Sequence, residues 1–241
     1  MKMNLTYITG SRFYGLETEK SDKDYYHLVI PTKEMLLSGQ MASCSYKDET
    51  NNDHVEKDIR VFIKELKKGS LRAVEVLYSI PINEPSNDLE SFLNDIFIRL
   101  RDDILNEIRV PLMKAISGEI VNRGKRLLNY SSNDNETNRK EYVHILKLNN
   151  LFNYLICGDN PFLPSFNNLM LYTYLKEIRK TEDYLIDFRE LEELIDKVSN
   201  TKIDEQRYPT STHALGDLEF IVNSIVLSYS EKQNKKLYKK Y

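Results

Sequence analysis

Apolar residues keep two different rhythms in this chain, and the change from one to the other constrains its fold most. In roughly the first eighty residues, short apolar runs stop at a glycine or proline. Residues 5–9 halt at Gly10 and residues 24–30, rich in Tyr and Val, halt at Pro31, the pattern of strands. After Asn83-Glu84-Pro85-Ser86-Asn87 the apolar positions recur every three or four residues, as at Leu89, Phe92, Leu93, Ile96 and Leu100, the pattern of helices. Strands confined to one end exclude an alternating α/β chain. The expected class is α+β, with a small mixed sheet and its helices over residues 1–82 and an all-helical domain over residues 83–241.

Within the first part, residues 47–52 read as a loop and residues 53–57 as a brief strand. A helix follows with Ile59, Phe62, Ile63 and Leu66 on one side, Asp58 as its N-cap and Gly69 as its stop. A second helix over residues 71–78 closes the unit before Pro81. In the second part, Leu112, Ile116, Ile120 and Val121 continue the helical period after Pro111. Beyond a polar loop at residues 131–138, helices are expected over 141–156, 169–178, 184–198 and 215–229. No internal repeat occurs.

Composition then removes several functions. The 241 residues carry 34 Lys and Arg against 37 Asp and Glu, a net charge of −3. A coat that binds nucleic acid by bulk positive charge is therefore excluded, and any phosphate-binding surface must be local. The two cysteines, Cys44 and Cys157, have no partner at metal-ligand spacing, so they are read as reduced core thiols. Neither a secretory h-region nor a run of the ~18–20 apolar residues that span a bilayer is present, so a cytoplasmic protein without a membrane partner is expected.

Chemistry concentrates between the first two strands. Gly10-Ser11-Arg12-Phe13-Tyr14-Gly15 is followed by Ser21, Asp22, Lys23 and Asp24. The next strand is expected to open with these two carboxylates one residue apart, and its period of two points Asp22 and Asp24 to one face. Two carboxylates on one face repel unless a cation sits between them. An all-oxygen set with open water positions suits Mg²⁺, or Mn²⁺, holding substrate phosphates. Gly10 and Ser11 add close backbone approach and a hydroxyl toward phosphate oxygens.

This arrangement resembles the nucleotidyltransferases of the DNA polymerase β superfamily, whose hallmark is a Gly-Ser turn followed by two aspartates one residue apart. It is most similar to the bacterial and phage nucleotidyltransferases grouped with RNA-repair enzymes. Residues 57–79 are similar to the helices that follow in that group, with Gly69-Ser70-Leu71 where Gly-Asn-Pro is usual. Residues 138–162 are similar to its Lys-x-x-x-His-x-x-Arg-Leu helix. There Lys140, His144 and Lys147 fall at i, i+4 and i+7 and share one face, with Lys147 in the place of Arg. The resemblance implies metal-dependent transfer of a nucleoside monophosphate from an NTP to an acceptor hydroxyl, an RNA or tRNA 3′ end being favoured. It assigns Gly10, Ser11, Arg12, Lys140, His144 and Lys147 to the nucleotide. The competing expectation is a degenerate module that binds nucleotide or RNA as a regulator. Oligomeric state is left open.

The family also uses a third carboxylate on a later strand, and Asp53, Glu56 and Asp58 all fall in the right stretch. With Val55 turned toward the helices, Glu56 is the in-strand carboxylate left on the open face, so Glu56 ranks first as a metal ligand with Asp22 and Asp24. Asp58 follows, although N-capping explains it as well, and Asp53 ranks third as a loop-border residue. Arg12 reads equally as phosphate ligand or surface residue. Tyr14 reads as packing and His27 as a strand residue, while His54 and His213 have no partner at metal spacing. Arg179-Lys180 and the basic residues 235–240 read as solvated helix ends.

Overall fold

The computed structural model describes residues 3–19, 21–31, 33–41, 43–82, 88–129, 135–163, 169–208 and 213–238. The expected linker at 83–87 and the end of the basic tail lie outside them. Four strands, β1 (Met3–Thr9), β2 (Asp24–Ile30), β3 (Ser43–Lys47) and β4 (Asp53–Asp58), form one sheet in the order β1-β2-β4-β3. β1 and β2 run antiparallel, as do β3 and β4, while β2 and β4 are parallel. The class is α+β, as the two rhythms indicate.

The register sets the inner face of the sheet. Leu5 pairs with Leu28, Tyr7 with Tyr26, and Tyr26 with Val55. Leu5, Tyr7, Tyr26 and Leu28 are fully or almost fully buried. They pack beneath α2 (Ile59–Lys67) and α3 (Leu71–Tyr78), with Phe62 between Tyr26 and Phe97. Asp58 caps α2 by accepting the Arg60 backbone N–H at 2.8 Å, and Gly69 ends the segment at φ +71°. The outer face carries Tyr25, His54 and Tyr46 stacked side by side. There a ring nitrogen of His27 lies 2.8 Å from one of His54, whose other nitrogen meets Asp48, which accounts for these histidines without a metal.

Three elements depart from expectation. β3 and the short α1 (Lys33–Ser38) have no counterpart in the apolar pattern, because β3 is an edge strand exposed along its whole length. Residues 88–129 form one 42-residue helix, α4 (Asp88–Asn129), which runs through Pro111. Cys44 and Cys157 are both exposed rather than core thiols.

α4 is the axis of the helical part, about 63 Å long at 1.5 Å per residue. Against it pack α5 (Asn135–Cys157), α7 (Phe188–Asn200) and α8 (Ala214–Tyr238), while α6 (Leu169–Lys180) packs on α5. Gly69 lets the turn between α2 and α3 rest directly on the α4 backbone at Pro111 and Leu112. One continuous apolar cluster runs from Leu5 in β1 to Val222 in α8, so the sheet and the helices share a core. Among the described residues no helix is long and apolar enough to cross a membrane.

Candidate active site

Where the sheet's inner face runs out, apolar rows give way to polar ones. Thr9 pairs with Asp24, and Asp24 with Asp53, so the two aspartates stand side by side on the face that carries Tyr26 and Val55. Beyond this row lies a cleft of about 580 Å³, lined from both the sheet side and the helices. Its sheet-side wall includes Gly10, Ser11, Asp22, Asp24, Asp53, Arg72 and Glu75; its helical wall includes Glu119, Arg123, Lys140, His144, Lys147 and Arg179.

Asp22 reaches the cleft from the loop before β2, which begins only at Asp24. Burial pushes the Asp24 carboxyl above its ordinary range, Asp22 and Asp53 push it further, and Arg72 and Lys140 oppose them. An Arg72 guanidinium nitrogen lies 3.4 Å from Asp24 Oδ1. Gly10 is pressed against the same carboxylate: a Cβ there would lie 2.2 Å from Asp24 Oδ2, and φ is +69°. Only glycine fits both demands. The Gly10 N–H donates to Glu75 Oε2 at 3.1 Å, which ties the turn to α3.

Glu75 is buried, and desolvation raises its pKa against the pull of Lys147. Lys147 is buried as well, its ammonium 4.1 Å from the centre of the Tyr14 ring, and desolvation lowers its pKa. Glu75 and Lys147 thus line the cleft as a buried acid and base, with the Tyr14 ring packed against the Lys147 ammonium. Also on the helical wall, the His144 Nε2 lies 3.1 Å from Glu119 Oε1, which Arg123 also meets at 2.7 Å. Burial lowers the His144 pKa, so the imidazole is neutral near pH 7 and the expected cationic stripe is carried by Lys140 and Lys147 alone.

Gly10, Ser11, Asp22, Asp24, Lys140, His144 and Lys147 all line the cleft; Glu56, Asp58 and Arg12 do not. Glu56 pairs in register with His27 and Cys44 on the outer face. Asp58 is fully buried at the far end of β4, with Arg60 donating to its Oδ2 at 2.6 Å. Of the three candidates for a third carboxylate, the structure brings only Asp53, ranked last from the sequence, to the cleft. Val55 does turn toward the helices, but the cleft opens on that same face, at the end of its row. Arg12 lines an adjoining groove and donates to the Ser21 carbonyl. Arg179 is no solvated helix end: it lines both cavities and donates to the Leu16 carbonyl at 2.7 Å. Glu75 was legible as the single charge in the apolar run 73–78; Glu119 and Arg123 carry no such local mark.

The oxygen-only donors suit a hard divalent ion. Among the described residues no three acidic, imidazole or thiol groups are placed so that together they could hold a metal ion. An ion held by one or two carboxylates, with waters and substrate phosphates completing its shell, is the Mg²⁺ habit.

Fold and site together define an α+β protein whose cleft sets carboxylates on one wall against Lys140 and the buried Lys147 on the other, over a shared core. No protein-family model matches the chain, nor does any curated protein. Among solved structures it is similar to a nucleotidyltransferase-like protein from Exiguobacterium sibiricum, at 14% identity and a TM-score of 0.32, over 95% of this chain and 86% of that one. A superposition that loose does not bear on the chemistry of the cleft.

Proposed function

We propose that this chain is a nucleotidyltransferase, dependent on Mg²⁺ or Mn²⁺, that moves a nucleoside monophosphate from an NTP to an acceptor hydroxyl and releases pyrophosphate. An RNA 3′ end is the acceptor the sequence resemblance favours. The observation that carries the reading is the in-register pair Asp24 and Asp53, joined by Asp22, at the mouth of a cleft whose other wall presents Lys140 and Lys147. Anionic residues on one side and cationic residues on the other suit a ligand that brings both a metal and phosphates.

One or two of the carboxylates Asp22, Asp24 and Asp53 would hold the ion, which when bound supplies charge neutralisation for an in-line displacement at phosphorus. The Gly10–Ser11 turn offers its backbone and hydroxyl to phosphate oxygens. Lys140 and Arg179 stand along the same cavity as counter-charges for the departing pyrophosphate. Fixing Gly10 through Glu75 keeps this geometry organised before substrate enters.

The test is transfer of label from each α-labelled NTP, with Mg²⁺ or Mn²⁺, to total RNA or to protein. Wild type should transfer, and both Asp22→Ala/Asp24→Ala and Asp53→Asn should abolish transfer, while Glu56→Gln leaves it intact. Transfer that survives the double substitution overturns the assignment. Saturable nucleotide binding without transfer to any acceptor makes the chain a binding module instead.

A further inference from the structure

The helical wall of the cleft contains a second device with its own geometry. The His144 Nε2 lies 3.1 Å from Glu119 Oε1, and Glu119 is held in turn by Arg123, which Glu141 fixes at 2.8 Å. The hydrogen bond to His144 and the neighbouring Arg123 hold the Glu119 carboxyl at about 2, well below its ordinary range. Glu119 is therefore ionised and can only accept, so Nε2 carries the proton and Nδ1 keeps its lone pair. Nδ1 has no partner among the described residues, and the side chain is 30% exposed where it lines the cleft. An imidazole oriented by a carboxylate, with its other nitrogen open, has the geometry of a base and its orienter.

We propose that His144 is the general base of the transfer. Nδ1 takes the proton of the acceptor hydroxyl as that oxygen bonds to the α-phosphorus; the bond from that phosphorus to the bridging oxygen breaks, and pyrophosphate leaves with the electron pair. The assignment rests on the nucleotidyl-transfer reading above. Glu119 stabilises the imidazolium that forms, and the proton passes to water afterwards.

Charged groups from several elements line the cleft together with His144. Glu119 and Arg123 come from α4; Lys140, Glu141 and Lys147 from its own helix; Arg72 and Glu75 from α3; Arg179 from α6; and Asp22, Asp24 and Asp53 from the sheet side. Desolvation, Lys147 and Arg123 disfavour the imidazolium, whereas Glu119 favours it. The net result is a neutral ring near pH 7, the form that a base must have before reaction.

The experiment measures label transfer between about pH 5 and 8 by wild type and His144→Gln, whose amide can still donate to Glu119. General-base loss should lower kcat by ~10²–10⁴-fold, leave KM for the NTP unchanged and remove the acidic limb of the pH profile. A uniform loss that keeps the acidic limb, or an unchanged kcat, overturns the base while the transferase reading stands. Absence of transfer by wild type overturns that reading and the base with it. A readout free of activity is the imidazole ¹⁵N spectrum of the full chain, which has four histidines, with His144→Gln assigning the resonance. The Nε2–H tautomer at pH 7 is expected; the Nδ1–H tautomer or an imidazolium at that pH overturns the proposal.

Discussion

Gly10 and Gly69 hold nearly the same left-handed backbone, φ +69° and +71°, yet alanine should fail at the two positions in opposite ways. The left-handed conformation itself costs an alanine ~1–2 kcal/mol. At position 10 the new Cβ would meet a side-chain oxygen, Asp24 Oδ2, at 2.2 Å. That carboxylate can rotate away, so little is added to the stability cost, but Asp24 leaves its place beside Asp53. At position 69 the Cβ would meet main chain of α4, Leu112 N and Pro111 C, both at 2.4 Å. A helix backbone cannot step aside locally, so overpacking adds ~1–3 kcal/mol. For a chain of this size Gly10→Ala should lower Tm by about 2–8 °C, and Gly69→Ala by about 4–20 °C. Transfer per folded molecule should move the other way: a loss of ~10²-fold for Gly10→Ala, the usual cost of a misplaced reacting group, against wild-type turnover for folded Gly69→Ala. Thermal melts and label transfer on the same preparations decide it. Equal specific activities, or a more stable Gly69→Ala than Gly10→Ala, would refute the claim that one glycine serves the carboxylate and the other serves packing.

Asp24→Asn should stabilise the metal-free protein by ~1 kcal/mol while abolishing transfer, since removing an active-site charge commonly trades activity for stability. The sign follows from the raised pKa. Above the native pKa the wild type bears a desolvated charge, and at low pH both states protonate Asp24, so the gain should fade as pH falls toward 3.8 in denaturation series. Asp58→Ala should cost ~3–5 kcal/mol in chemical denaturation, because it leaves Arg60 without its buried partner and removes the α2 cap, yet its folded fraction should keep wild-type turnover. Both cysteines should react with a disulfide reagent in the native protein; protection of either until unfolding would contradict their exposure.

Local signals in the sequence carried the local structure. The bounds of β2 and α3 coincide with breakers beside them, Pro31 after one and Gly69 before the other, and Asp58 caps α2 as its spacing implies. β3 escaped because an edge strand exposed on both faces has no apolar alternation to display. α7 begins at Phe188 rather than near 184 because Asp187 accepts the backbone N–H groups of Arg189 and Glu190, a cap that the apolar period does not reveal. The same divide runs through the site. Gly10, Ser11, Asp22 and Asp24 are neighbours along the chain and could be read together. Asp53 is a neighbour only through the parallel pairing of β2 with β4, and a face chosen from Val55 alone placed Glu56 there instead.

The helical wall adds a longer-range dependence. Lys147 reaches its position opposite Glu75 because α5 packs on α4, and α4 on α3, within one apolar core. The near-neutral net charge of −3 therefore averages over two opposed groups separated by about 120 residues of chain. Neither group is comfortable alone: burial raises the pKa of Asp24 and Glu75 and lowers that of Lys147. A ligand that presents a cation to one wall and phosphates to the other relieves both strains at once. Binding such a ligand should consequently raise the stability of the whole shared core rather than of the sheet or the helices separately.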